Sequence, residues 1–243
     1  MKKLFLTVVG ILLFGYSAKV EPFEIYKIKA SVAGSVVFSK KDAEAEKFYG
    51  LIVKIDDNQE KIELENLQNQ LELLKEEIKN QEEIVKRKYD TYKRYQTLKT
   101  KSIEEKNRKF YDYITAKNQL INLKTQLTNT KASINKLKDT INKKNIKVNG
   151  YINKVYVKNG DYVAPGTIVA EVDDITKEKL TIYVPIEKIE KIKNSRVFIN
   201  GKVSDFKIYK IWSVPDEKYI TSYKVELVGR GFKLGEIVNV EFR

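Results

Sequence analysis

Between Asn58 and Asn142 the chain has neither proline nor glycine, and its apolar residues return every three or four positions. One series runs Leu64, Leu67, Leu71, Leu74, Ile78, Val85, Tyr92 and Tyr95. A second runs Phe110, Tyr113, Ala116, Leu120, Leu123, Leu127, Thr130, Ile134, Leu137 and Ile141. This is the heptad seam of a coiled coil. Between the two series, Ser102 and Glu105 have capping-box spacing, so one helix is predicted to end near Lys99 and another to begin at Ser102. Asp57 with Glu60 has the same spacing and predicts a cap for the first helix. Two arms of about 40 residues, roughly 60 Å each at 1.5 Å per residue, then fold back on one another around a tight turn.

Outside this stretch the period falls from three-and-a-half to two. Lys27 to Asp57 and Gly150 to Asp174 each hold short apolar, β-branched runs, and each ends in a pair of aspartates. Gly34 and Gly50 stand 16 apart, as do Gly150 and Gly166, which marks an internal repeat interrupted by the helical insertion. Asn159-Gly160 and Ala164-Pro165-Gly166 are turn signals between strands. From Lys179 onward alternation returns, with a hairpin turn at Asn200-Gly201 and a short helix opening at Pro185 and running through Lys191. At the other end, Lys2 and Lys3 precede an apolar run from Leu4 to Phe14 and the small residues Gly15, Ser17 and Ala18, the layout of an export signal over residues 1–17. It is either removed after Ser17 or kept as an anchor. No cysteine follows the run, so a lipid anchor on cysteine is excluded.

Composition narrows the chemistry. The 243 residues contain no cysteine and no histidine. That removes disulfides, thiolate and imidazole metal sites, and Ser-His or Cys-His nucleophile pairs. No P-loop lysine motif is present. The formal charge is +13, much of it lysine of the kind that A/T-rich coding also supplies. An exported chain does not normally meet nucleic acid, so no nucleic-acid partner is expected. Charge is unevenly placed along the helices. Residues 58–83 carry eight acids and three lysines, whereas residues 84–109 carry ten bases and three acids. The hairpin tip is therefore basic, suited to steering toward an acidic partner. Asp56-Asp57 and Asp173-Asp174 lack the oxygen-rich loop of a calcium site and fit strand-end turns and helix caps better.

The stretch GYINKVYVKNGDYVAPGTIVAEVDD resembles the second half of a lipoyl/biotinyl-like domain. In the first half, KKDAEAEKFY stands where that fold usually has a glycine-containing turn. A carrier of biotin or lipoate would need a lysine on a turn between the halves, and the helical insertion occupies that place, so no cofactor is expected. A lipoyl-like domain split by a helical hairpin, behind an export signal, resembles the periplasmic adaptor or membrane fusion protein family of efflux pumps and type I secretion systems. The resemblance spans about residues 27–243. It implies an elongated α+β fold. The lipoyl-like β domain takes residues 27–57 and 147–174, and is split by an antiparallel coiled-coil α-hairpin over 58–145 with its tip near 98–103. A small β-barrel follows over 175–243.

The same resemblance implies a non-catalytic subunit that links an inner-membrane transporter to an outer-membrane exit duct from the periplasm. Rings of three or six copies are expected. Arg94, Tyr95 and Leu98, followed by Ser102, are similar to the family's Arg…Leu…Ser tip motif, which implies duct docking at these residues. No residues follow Arg243 to form the membrane-proximal domain of many relatives, so the lipoyl and barrel surfaces are expected to meet the transporter. The competing reading is an exported coiled-coil scaffold with no transport role.

Overall fold

The computed structural model describes residues 15–215 and 218–243. Most of the expected export signal, residues 1–14, lies outside them. The chain begins with β1 (Tyr16–Lys29), β2 (Gly34–Ser39) and β3 (Lys47–Ile55). Two long helices follow, α1 (Asn58–Thr97) and α2 (Ile103–Lys144). Then come β4 (Asn145–Val155), β5 (Tyr162–Val163) and β6 (Ile168–Pro185). The short helix α3 (Ile189–Lys193) precedes β7 (Val197–Ile199), β8 (Lys202–Val203), β9 (Lys207–Ile211), β10 (Ser222–Gly229) and β11 (Ile237–Phe242). Among the described residues no helix is long and apolar enough to cross a membrane.

The strands enclose two cores. The first is built from β2 to β5 with the adjoining parts of β1 and β6, around Ile52, Ile55, Ile152, Val155 and Val169, all fully buried. Burying one such side chain contributes about 1.5–3 kcal/mol, so this small module rests on its β-branched interior. Gly150 is required here. A Cβ on it would lie 2.6 Å from the Val172 side chain, and its φ of +154° is one that other residues rarely adopt. Gly34, 116 positions earlier at φ +152°, is pressed in the same way against Ile55. The KKDAEAEKFY segment forms a 3-10 turn whose backbone joins β4: Ala45 N–H donates to Ile152 and the Glu44 carboxylate accepts from Val155 N–H.

The second core gathers Val20, Leu180, Ile182, Val184, Phe206, Val225, Leu227 and Val240 from β1, β6, β10, β11 and the residue before β9. The Asn200-Gly201 turn is present, with both residues at positive φ. Residues 16–20 belong to this second body: Tyr16 to Lys19 pair with β11, and the Tyr16 ring meets Phe242 edge-on. Cleavage after Ser17 would remove Tyr16 and Ser17 from that strand. The expected boundary at 174/175 falls inside β6, which does not stop at its aspartates. β6 pairs with β4 up to Asp173 and with β10 from Glu178 onward, while β1 accompanies it through both bodies. The register slips once between the two bodies, between Pro22 and Glu24. There Phe23 packs on Tyr209, with Lys177 over its ring.

The helices run antiparallel, as cross-contacts at both ends and the middle establish: Lys144 with Glu60, Lys124 with Glu82, and Tyr92 with Phe110. Leu74, Ile78, Ala116, Thr130 and Ile134 are buried in their seam. Toward the tip aromatics replace leucines, and Tyr92 stacks on Tyr113 with their rings 4° from parallel.

The root of the hairpin is charged and buried. Asp57 precedes α1 but makes no side-chain cap, contrary to the spacing argument. Its carboxylate is only 2% exposed and is claimed by Lys61 at 3.0 Å and Lys54 at 3.5 Å, leaving Asp56 to accept from Asn58 N–H. Burial pushes the Asp57 carboxyl up, but the hydrogen bond and charge of Lys61 and the charge of Lys54 outweigh it and hold the group below the usual carboxylate range. Across from it, Lys144 is buried, donating to the Asp56 carbonyl at 2.6 Å and to the Glu60 carboxylate.

Two consequences are measurable. Lys144→Met leaves the partly buried Glu60 without its cation and should cost about 3 kcal/mol, the lower end for breaking a buried pair. Amide exchange at residues 141–148 should accelerate accordingly, while amides of the second core stay protected. Asp173 carries the opposite signature. It is buried opposite Tyr151 and Ile25, and one carboxylate oxygen has no hydrogen-bond partner. Burial first, and Glu171 second, raise its pKa. The folded state therefore binds this proton more tightly than the unfolded chain, and stability falls as pH rises from the usual carboxylate range through the raised value. Asp173→Asn should raise the urea midpoint at neutral pH, and the gain should shrink near pH 4, about the ordinary carboxylate value.

Candidate functional site at the hairpin tip

The turn joining α1 to α2 spans Leu98 to Ser102. Leu98 closes α1, with its N–H donated to Tyr95 O. Ser102 opens α2 through a complete capping box: its hydroxyl accepts from Glu105 N–H, and the Glu105 carboxylate accepts from Ser102 N–H. The first turn of α2 thus satisfies donors that a helix start otherwise leaves open. Lys101 bonds the same carboxylate at 2.9 Å. The Glu105 carboxylate, by hydrogen bond and charge, raises the Lys101 pKa, and the Lys101 ammonium, with the Ser102 amide, holds Glu105 below the usual carboxylate range.

Arg94 and Tyr95 stand in the last turn of α1, Leu98 at its C-cap and Ser102 at the N-cap of α2, and they present different things. Arg94 is exposed in the last turn of α1, where a cation also suits the negative end of the helix dipole. Leu98 is 43% exposed. Tyr95 is partly buried and held by two cations, with Lys101 5.4 Å and Lys109 5.5 Å from its ring centre. Its ring braces the tip and is not offered outward. Ser102 spends its hydroxyl and its amide inside the capping box. Ile103, not singled out by the sequence reading, is 78% exposed. Its signal was legible in retrospect, since the first residue after an N-cap faces away from the partner helix when the seam begins later, at Lys106 and Phe110. The outward chemistry of the tip is therefore a guanidinium, two aliphatic side chains and a surround of lysines, without a nucleophile–base pair. Among the described residues no group of three or more acidic side chains is placed to hold a metal ion.

Ser102→Ala should loosen this turn. Losing such a cap costs about 1 kcal/mol, so amide exchange at Glu105 should rise about fivefold, and Ser102→Gly should cost less. Acid should act in the same direction. Glu105 titrates below its unfolded value, so its contribution is complete above the ordinary carboxylate range and is lost as pH falls through and below it.

No protein-family model and no curated protein matches the chain. Solved structures do. MacA from Actinobacillus actinomycetemcomitans superposes with a TM-score of 0.77 at 14% identity, covering 95% of this chain and 78% of that one. The membrane fusion protein Spr0693 from Streptococcus pneumoniae R6 gives 0.66 at 10% identity, over 93% of this chain and 99% of that one. A MacA–MexA chimera carrying the Pseudomonas aeruginosa MexA α-hairpin domain gives 0.62 at 14% identity, over 95% and 81%. Identities this low establish the fold alone. The fold of this chain is that of the membrane fusion proteins, the family its sequence resembles.

Proposed function

We propose that the chain is a periplasmic adaptor, a non-catalytic subunit that joins an inner-membrane transporter to an outer-membrane exit duct in an efflux pump or type I secretion system. The observation that carries this reading is the rod. Helices of 40 and 42 residues project from the first of the two β bodies and end in a tip whose outward groups are Arg94, Leu98 and Ile103. Length without a globular core suits reach, and the β bodies suit attachment. One rod cannot enclose a channel, so several copies stand in a closed ring, three or six in number, with their β surfaces on the transporter. In this reading Arg94 and Leu98 make the duct contact, and Tyr95 and Ser102 hold them in place. Energy for transport comes from the partner.

The test begins with the tip. Leu98→Asp should abolish export in intact cells while helix content and thermal unfolding stay as in the parent. A carboxylate desolvated at an interface without a partner costs about 3 kcal/mol or more, about 100-fold or more in affinity. A photo-crosslinker in place of Lys101 should give an adduct with an outer-membrane duct subunit. Adducts confined to soluble envelope proteins, with full export by the Leu98→Asp chain, would overturn the reading in favour of a scaffold.

A further inference from the structure

The root half of α1 and the whole of α2 carry opposite charge, and the unpaired charges lie largely on opposite flanks. The seam sets the helical positions. On α1, Leu64, Leu71 and Ile78 take position a of the heptad and Leu67 and Leu74 take d. On α2, Leu120, Leu127 and Ile134 take a, and Ala116, Leu123, Thr130 and Leu137 take d. Position e of α2, one residue after each d, is then Lys117, Lys124, Lys131 and Lys138, four exposed lysines seven residues apart with no acid among them. Position e of α1 lies on the same flank of an antiparallel pair, as the 2.8 Å bridge from Lys124 to Glu82 confirms. Among the described residues the other three lysines have no ion-pair partner within 4 Å.

The outer and opposite side of α1, positions c, f and g, reads the other way. Glu63, Glu76, Glu77 and Glu83 lie there, all exposed and none ion-paired among the described residues. The three lysines of this half of α1, Lys61, Lys75 and Lys79, fall at e or b on the lysine flank, together with Glu65, Glu72 and Glu82, of which Glu72 pairs with Lys75 and Glu82 with Lys124. Each side also shows an aliphatic group to solvent: Leu73 is 68% exposed among the acids, and Ile121 is 52% exposed beside the lysines.

We infer that the rod is a self-complementary building block: the acidic outer face of α1 in one copy seats against the lysine stripe of α2 in the next. The inference rests on the ring proposed above and names its contact. Copies pointing the same way bring α1 of one beside α2 of its neighbour, antiparallel and at the same height, with Glu76 within about one turn of Lys131 and Glu83 within about one turn of Lys124. A two-fold contact of α1 on α1, or α2 on α2, sets like charges together and is disfavoured. Exposed pairs are individually weak, so the charges set direction and register, while Leu73, Ile121 and the β bodies supply area.

The absence of native cysteine makes the test clean. In the full chain, Glu76→Cys with Lys131→Cys should give a ladder of covalent oligomers in oxidised, intact cells. The two positions sit on opposite flanks of one hairpin and cannot bridge within it. Neither single cysteine should give a ladder. Reversing Lys117, Lys124, Lys131 and Lys138 to Glu, with the crosslink moved to Leu73→Cys and Asn135→Cys, which lie level in this contact, should abolish the ladder. Reversing Glu63, Glu76, Glu77 and Glu83 to Lys should abolish it as well. Co-expressing the two reversed chains should restore it, which also shows that both still fold. The ladder given by the purified Glu76→Cys, Lys131→Cys chain should weaken in about 1 M salt, where the screening length falls to about 3 Å. A disulfide dimer from Glu76→Cys alone, or a ladder insensitive to both reversals, would overturn the inference. A ladder without any duct adduct would leave it standing while removing the adaptor reading, and a duct adduct without a ladder would do the reverse.

Discussion

The rod is useful only if its direction is fixed, and direction is fixed at the buried charges of its root. Two long helices leave a small β body through junctions with almost no slack. α1 starts three residues after β3, and α2 passes into β4 without a loop. Apolar packing is strong but nearly indifferent to angle. The Asp57 carboxylate, caught between Lys54 and Lys61, and the Lys144 ammonium, caught between Glu60 and the Asp56 carbonyl, are not. Lys144 lies in phase with the seam, three residues beyond Ile141, so the hydrophobic stripe ends in an ion pair where the helices meet the sheet. Removing these charges from water is costly, and the geometry must be good for the pairs to repay it. The sum favours ionised Asp57, because its attraction to the lysines exceeds its desolvation.

Elements whose signal is periodic were legible in the chain. The helical stripe from Leu64 to Ile141, the Ser102–Glu105 spacing and the Asn200-Gly201 turn depend on neighbours within a few residues, and all three appear in the structure. What depended on partners far along the chain was not. Nothing local in Tyr16 to Lys19 says that these residues pair with β11 more than 200 positions later. Asp173-Asp174 looked like a strand end because paired acids usually stop strands, yet backbone pairing to β1 and β4 carries β6 through them. Asp57 had the spacing of a cap, and Lys54 took its carboxylate from outside the helix.

The tip shows the same division. Its residues were found from sequence, while the work each side chain does was set by what surrounds it. Tyr95 and Ser102 are consumed internally, by two lysines and by a helix start, whereas Arg94 and Leu98 remain outward beside Ile103. A motif names positions; packing decides which atoms are left over for a partner.

The ribbon of β1 and β6 that runs through both β bodies has a mechanical meaning. A hydrogen-bonded pair of strands resists stretching and shear but bends across its face, most easily where the ladder slips, here between Pro22 and Glu24. The joint between the bodies is thus a flexure with one soft axis rather than a free swivel. A bend of about 10° there, acting through a lever of roughly 60 Å at 1.5 Å per residue, carries the tip about 10 Å sideways. Small rearrangements at the second β body would arrive at the far end amplified, and along one direction.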